Sequence, residues 1–387
     1  MEFRGNWNYP TTIRFGAGRI QELPDALKSF GSQRPLIVTD PGLAASPLIA
    51  DAVQLLAAQG IHASVFSEIK PNPTEANVHG GIDALKKTES DSVIAFGGGS
   101  ALDVGKAVAF MSVQTRPIED FEDIGDNWTR ATTARLPTVI AIPTTAGTGS
   151  EVGRASVISL SGVHRKAIIF HPRILPQLVI ADPELTLGLP PKLTAATGMV
   201  ALAHALEAFV APGFHPMADG IALEAIRLIK LALPRAYRDG SDLEARSMML
   251  AAASMGAAAF QKGLGAIHSL SHPLGALYDL HHGLLNAVVM PYVLQYNRSA
   301  IEERMRRLAI YLELPHPGLD AVLEWILDLR HEIGIPNTLA DLGVGTDRLD
   351  ELSVMSEADP STSGNPMKVD RDDMRKMFEM AIAGEVS

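Results

Sequence analysis

Four of the chain's twelve histidines lie within HSLSHPLGALYDLHHG, residues 268–283. His268 and His272 are four positions apart, which places both on one face of a helix, and His282 follows further on. His204 sits in a separate helix-like stretch, MVALAHALEAF. Imidazoles from different helices can converge on one divalent ion. They can also relay protons near neutral pH, or pack as ordinary core residues. These residues alone leave all three readings open.

Two further stretches could hold a dinucleotide. In FGGGSALDVGKAVAF (96–110) a buried strand runs into a helical pattern through Gly97, Gly98 and Gly99. Glycines there let the backbone approach a pyrophosphate, and the start of the next helix offers free N–H groups. The spacing is not G-x-G-x-x-G, and a plain structural turn accounts for such a cluster equally well. PTTAGTGSE (143–151) also leaves an apolar strand, with Thr hydroxyls and Gly amides suited to lining a groove. Parallel sheets bind ligands at the C-terminal ends of their strands, so two such loops reinforce each other. Asp40 ends another strand in VTDPG, where a carboxylate could accept bonds from an adenosine ribose and repel a 2′-phosphate. A turn-forming Asp before Pro-Gly is the plainer alternative.

The elements that must carry these residues fall into two textures. PLIVTD (35–40), DSVIAFGGG (91–99) and TVIAIPTT (138–145) are apolar throughout, as strands covered on both faces are. Helical stretches alternate with them, at 46–60 and 77–87, which predicts a parallel α/β sheet. Beyond about residue 185 helical periodicity takes over: Ala222, Ile226, Ile229 and Leu233 make one helical face. Ser241 with Glu244 reads as a capping box for the next helix. The proline-rich DPELTLGLPPKLT (182–194) marks the join, giving an α/β domain over 1–184 and an all-helical domain over 185–387.

Composition narrows the function. Net charge is −11 without any basic block, which argues against nucleic-acid binding. The absence of cysteine excludes disulfides, thiolate ligands and cysteine nucleophiles. MEFRGNWNYP lacks the apolar region of a signal peptide, and no run approaches eighteen uninterrupted apolar residues. The expectation is a cytoplasmic protein without a membrane partner.

GGGSALDVGKAVA, PTTAGTGSE and HSLSHPLGALYDLHHG together resemble the iron-dependent, group III alcohol dehydrogenases. DPELTLGLPPKLTAATGM, PNPT (71–74) and GNP (364–366) fit the same family in the same order, over nearly the whole chain. The resemblance implies an α/β dinucleotide-binding domain followed by an all-helical one, the dehydroquinate synthase-like fold. It further implies hydride exchange between NAD(P) and small alcohols or carbonyls with a divalent metal, Fe²⁺ or Zn²⁺, in a homodimer.

Carried over position by position, Gly97, Gly98, Gly99 and Ser100 match the pyrophosphate loop, with Asp103 beyond it. Thr144, Thr145 and Thr148 match the second cofactor loop. Asp40 matches the position favouring NAD, Asn72 lies in the PNPT loop, and Lys166 matches a lysine near the nicotinamide ribose. His204, His268 and His282 match the three histidine ligands of the metal, and His272 the catalytic histidine that relays the alcohol proton. The fourth ligand departs from the pattern. The family reads G-M-D-A-L-x-H and this chain reads GMVALAH, so Val200 stands where an aspartate is expected. The expectation is an NAD-dependent dehydrogenase or aldehyde reductase whose metal binding is weakened or lost. A maleylacetate reductase-like or metal-independent reductase, and a catalytically impaired NAD-binding homologue, are the alternatives. Phe260, Gln261 and Lys262 precede His268 by one to two turns, close enough to reach a pocket; Lys262 is read as solvated rather than as a partner for an anionic substrate.

Overall fold

The computed structural model describes residues 9, 11–160 and 165–386. Most of the N-terminal stretch read above for a leader lies outside them. The chain divides into two compact units, one of residues 9–145 and 149–188, the other including residues 146–148 and the chain from Leu189 onward.

The first unit is built on a six-stranded sheet in the order β1-β8-β5-β4-β2-β3, with every pairing parallel. Its strands are β1 (Thr12–Phe15), β2 (Pro35–Val38), β3 (Ser64–Phe66), β4 (Ser92–Gly97), β5 (Thr138–Pro143) and β8 (Leu178–Ala181). A separate antiparallel pair, β6 (Ala155–Leu160) and β7 (Arg165–Phe170), forms a hairpin. Helices α1 (Leu23–Ser29), α2 (Pro41–Ala44), α3 (Pro47–Ala57), α4 (Glu75–Lys87) and α5 (Gly99–Met111) connect the strands. The central strands are buried on both faces, as their unbroken apolar runs predict. Ile37, Ile94, Phe96, Ile140, Ile142 and Ile180 share a core with Leu23, Leu27, Ile49 and Leu56.

Strand order reverses at β2 and β4. From β2 the chain steps outward to β3, then returns across β2 to β4 and continues to β5. Connections therefore leave β2 and β4 in opposite directions and open a crevice at their C-terminal ends, the usual ligand position in such sheets. Asp40 follows β2, and Gly97 ends β4 with Gly98 and Gly99 next in the chain.

The second unit is helical: α6 (Pro191–Val210), α7 (Pro216–Arg238), α8 (Leu243–Ala259), α9 (Ala266–Tyr278), α10 (His282–Tyr296), α11 (Arg298–Tyr311), α12 (Leu319–Glu332), α13 (Leu349–Glu357) and α14 (Arg371–Ala383). At the start of α8 the cap is Asp242, whose carboxylate accepts from Ala245 N at 3.0 Å, and not Ser241. Ser241 Oγ instead donates to Asp239, and Glu244 pairs with Arg235. Asp242 reaches the same orphan donors from one residue closer to the helix. Helix α6 is long and apolar enough to cross a membrane, yet 94% of its apolar window is buried. A helix apolar on all sides is the central helix of a bundle here, enclosed by α7, α8 and α10.

Candidate functional site

Alanine-rich α6 carries His204, Glu207 and Val200 at helical spacing, and all three are buried. Small residues bring the neighbouring helices close. A Cβ on Gly256 of α8 would lie 3.4 Å from His204 Cβ. One on Gly283 of α10 would lie 2.2 Å from Ala196 O and 2.7 Å from Val200 Cγ2. Val200 thus points at the start of α10, beside His282.

The start of α9 is held by side chains from elsewhere in the unit. Glu207 Oε1 accepts Ile267 N at 2.7 Å and His268 N at 3.4 Å, and Asn365 Oδ1 accepts Ala266 N at 3.2 Å. Acceptors at a helix N-terminus satisfy its orphan donors and complement its dipole. Gly265 makes room, since a Cβ there would meet Asn365 Oδ1 at 3.1 Å and Glu207 Oε1 at 3.2 Å. Glu207 Oε2 also accepts from His268 Nδ1. A carboxylate only accepts, so the His268 proton is fixed on Nδ1 and the Nε2 lone pair is free to face inward. Helix α9 stops at Asp279, whose φ is +52°. The exposed His281 then caps α10 by accepting Gly283 N at 3.2 Å, which places His282 at the first helical position.

The four imidazoles form one cluster. Ring centroids are 4.9 Å apart for His204–His268, 5.3 Å for His268–His282, 5.7 Å for His268–His272 and 5.3 Å for His272–His282. The Nε2 atoms of His268 and His282 converge on Asn286 Nδ2, at 3.4 and 3.3 Å. Two polar atoms in the cluster, His204 Nδ1 and Asn286 Oδ1, are buried without a hydrogen-bond partner. Burial first, then the nearby His268 and His272, hold the His204 imidazole well below its ordinary pKa and keep it neutral. Converging imidazoles, one of them with an orphaned ring nitrogen, fit a divalent ion in kind. The set is short of a donor, however. Among the described residues, no three His, Cys, Asp or Glu side chains alone make up a group able to hold an ion. At position 200, where a carboxylate would close the set, there is valine.

His272 is held separately. Its Nδ1 donates to Asp359 Oδ2 at 2.8 Å, leaving Nε2 as the ring's proton acceptor. Burial alone would raise the Asp359 carboxyl, but His272 and the Ser361 bonds outweigh it and hold the group below the usual carboxylate range. Phe260 stands edge-on against His204, with centroids 4.9 Å apart. Lys262 does not behave as the sequence suggests. Its side chain is 2% exposed, with Nζ bonded to Asp219 Oδ1 at 2.5 Å and Phe209 O at 3.3 Å. Only paired in this way can an ammonium remain in so buried a place. Lys262 is therefore a structural cation, neither solvated nor facing a substrate.

In the α/β unit, Asp40, Gly97, Gly98, Gly99, Ser100, Thr144 and Thr145, expected to hold a dinucleotide, lie at the ends of β2, β4 and β5. Gly97 has φ +151°, and a Cβ there would lie 2.7 Å from Ala101 Cβ and 3.5 Å from Asp40 Oδ2, so only glycine fits. Gly98 precedes α5, with Gly99 and Ser100 in its first turn. A Cβ on Gly98 would sit 3.3 Å from Thr145 Cγ2, and Thr144 N donates to Gly97 O at 3.0 Å. Ser100 Oγ donates to Pro71 O at 2.6 Å, tying the Asn72 loop to the glycine turn. Lys166 on β7 pairs with Ser159, whose N–H donates to Pro73 O at 2.7 Å. One oxygen of Asp40 caps α2 by accepting Leu43 N at 3.0 Å, as its turn-forming reading expects. Asp103 is different. Ser150 Oγ, Val157 N and Lys106 Nζ all bond its carboxylate, so it braces the hairpin start against α5. Thr148 is grouped with the helical unit.

Sequence reasoning missed Glu207, Asn286 and Asp359. Glu207 had a signal, standing one turn after His204 on a helix otherwise apolar. Asn286 stands in the same way one turn after His282. Asp359 has none, being 87 positions from the histidine it holds.

Comparison with known proteins bears on the whole chain. The family profile described as iron-containing alcohol dehydrogenase matches residues 10–183, and that of the Fe-containing alcohol dehydrogenase family, C-terminal, matches residues 194–382. The 4-hydroxybutyrate dehydrogenase of Cupriavidus necator is 40% identical, across 97% of this chain and 99% of that protein. A crystal structure of 1,3-propanediol oxidoreductase superposes with a TM-score of 0.92 at 34% identity, covering 98% of this chain and 100% of that one. The sulfoacetaldehyde reductase of Bifidobacterium kashiwanohense, solved in complex with NAD+, gives 0.89 at 31% identity, covering 98% and 99%.

Proposed function

We propose a reaction for this chain, which belongs to the iron-containing alcohol dehydrogenase family: reversible hydride transfer between NAD(H) and a small alcohol or carbonyl compound. The observation that supports it most is the imidazole cluster, in which His272, braced by Asp359, adjoins His268 and His282. His272 Nε2 takes the hydroxyl proton as alcohol is oxidised and returns it as carbonyl is reduced. Asp359 keeps that ring in the tautomer the transfer needs. Gly97, Gly98, Gly99 and Ser100 seat the pyrophosphate at the start of α5. Thr144, Thr145, Thr148, Asn72 and Lys166 line the rest of the cofactor, and Asp40 favours NAD over NADP. Asp103 contributes by fixing the loop rather than by touching the cofactor.

His204, His268 and His282 are the residues that would hold a divalent ion, Fe²⁺ or Zn²⁺, in a site altered by Val200. Such an ion, when bound, polarises the substrate oxygen as a Lewis acid. The same reading makes the protein a cytoplasmic homodimer without nucleic-acid or membrane partners, in keeping with its net charge of −11 and its enclosed α6.

The test is NADH oxidation with a panel of aldehydes, uncharged ones such as propanal and carboxylated ones such as 4-oxobutanoate. Protein stripped by chelator is compared with protein given Fe²⁺ or Zn²⁺. Turnover on at least one aldehyde is expected. NADH binding without turnover on any would instead identify a catalytically impaired homologue.

A further inference from the structure

Asn286 lies one turn beyond His282 on α10 and is completely buried. Its Nδ2 stands 3.4 Å from His268 Nε2 and 3.3 Å from His282 Nε2, while its Oδ1 has no partner. Donors bound to one tetrahedral ion at about 2.0–2.1 Å stand about 3.3–3.4 Å from one another. The outer atom of Asn286 is therefore at ligand-to-ligand spacing from both imidazoles. With the ring protons on Nδ1, its two amide hydrogens face the two ring lone pairs. A half-turn of the amide exchanges nitrogen for oxygen, and Oδ1 gives up no hydrogen bond in making it. With both ring protons on Nδ1, three lone pairs would then face one another, an arrangement that a cation among them stabilises.

We propose that Asn286 Oδ1 is the fourth protein donor of the ion site, replacing the carboxylate that Val200 cannot supply. The inference rests on the reading that His204, His268 and His282 hold an ion. It changes the character of the site, for three imidazoles and an amide carry no formal charge. Two carboxylates stand behind the cluster, Glu207 on His268 and Asp359 on His272. A neutral set suits Zn²⁺ and Co²⁺, which accept imidazole readily, better than Fe²⁺, which gains more from an anionic oxygen. The amide also makes the site self-sealing, since its N–H groups satisfy the two imidazoles when no ion is held.

The experiment measures Co²⁺ and Zn²⁺ affinity of the full chain by competition with a chromophoric chelator, together with the visible absorption of the Co²⁺ form. Asn286→Ala should weaken binding by about 100-fold or more, beyond the usual range for a group outside the coordination shell, and change the Co²⁺ bands. In a Val200→Asp background the same substitution should cost less than about 10-fold, because the carboxylate fills the vacated place. Equal losses in the two backgrounds would mean that Asn286 only props the imidazoles, and the proposal would fall. Unchanged affinity and spectrum in Asn286→Ala, or no ion binding by the wild-type chain, would also overturn it. If Asn286→Ala does not fold, Asn286→Asp decides: it places an oxygen at the same point and must raise Co²⁺ affinity about 10-fold or more. Tight Co²⁺ binding without NADH-linked turnover would fault the proposed reaction and leave the coordination standing.

Discussion

Glu207→Gln tests how the histidine cluster is aimed. The carboxylate accepts three hydrogen bonds, two from the N–H groups opening α9 and one from His268 Nδ1. Glutamine can keep its oxygen on Ile267 N, which turns its NH₂ toward His268. The ring must then accept at Nδ1, and its proton moves to Nε2. The lone pair that faced Asn286 and His282 disappears while the fold is retained. Exchanging charge-assisted bonds, worth about 1.5–3 kcal/mol, for neutral ones worth about 0.5–1.5 lowers stability by about 1–2 kcal/mol. For a unit of this size that is a fall of about 2–8 °C in melting temperature. Ion affinity should fall about 10- to 100-fold, as when the partner of a ligating histidine is removed. Long-range ¹H–¹⁵N spectra of the histidines read the tautomer directly, and chelator competition reads the affinity. An unchanged His268 tautomer with reduced affinity would refute the reasoning, because loss would then come from packing alone. Glu207→Ala should be far worse, by about 3–5 kcal/mol, since it strands buried donors.

His272→Ala should lower turnover by about 10²–10⁴-fold with ion content retained, and Asp359→Asn should move it in the same direction; loss of the ion in His272→Ala would make His272 a ligand instead. Gly283→Ala should cost about 1–3 kcal/mol by overpacking, visible as a lowered melting temperature. Adding Val200→Ala should not rescue it, because the Ala196 carbonyl remains 2.2 Å from the new methyl. Asp40→Ser, which keeps a capping oxygen for α2, should raise the NADP(H)-to-NAD(H) ratio of kcat/KM about 10-fold or more; an unchanged ratio would remove Asp40 from the specificity argument. His204 gives a pH dependence. Its folded pKa is depressed, so below about 6.5 the unfolded chain takes up a proton that the folded chain resists. Stability of the ion-free protein should then fall as pH drops, by up to about 1.4 kcal/mol per unit, and His204→Gln should flatten that slope in thermal melts.

The strands legible in the sequence are those buried on both faces, because burial forces an unbroken apolar run. PLIVTD, DSVIAFGGG and TVIAIPTT became β2, β4 and β5 with their ends nearly in place. Short edge strand β1, with exposed Ile13 and Phe15, carries no such run. Helix α6 gave no amphipathic signature, since it is enclosed on every side. His268, His272 and His282 were readable as candidates because their spacing is local, whereas His204 joined them through the family resemblance. What aims them was not: Glu207 is 61 positions from His268, and Asp359 is 87 from His272. Such pairs are settled by tertiary packing, which no local pattern encodes. Lys262 was misread for the same reason, its partner Asp219 lying 43 positions away on α7.

The dependence of α9 on residues near the end of the chain has a consequence for biosynthesis. Asn365 holds the first N–H of the helix and Asp359 holds His272, so a nascent chain carries the four clustered imidazoles and Glu207 before it carries the groups that complete the helix start and orient His272. Contacts of such sequence separation form late, after the loops between them have closed. The histidine cluster is therefore completed only once residues 359 and 365 are available to pack against α9. A ribosome-bound chain stalled before residue 359 should show α6 protected from hydrogen exchange while the start of α9 still exchanges freely.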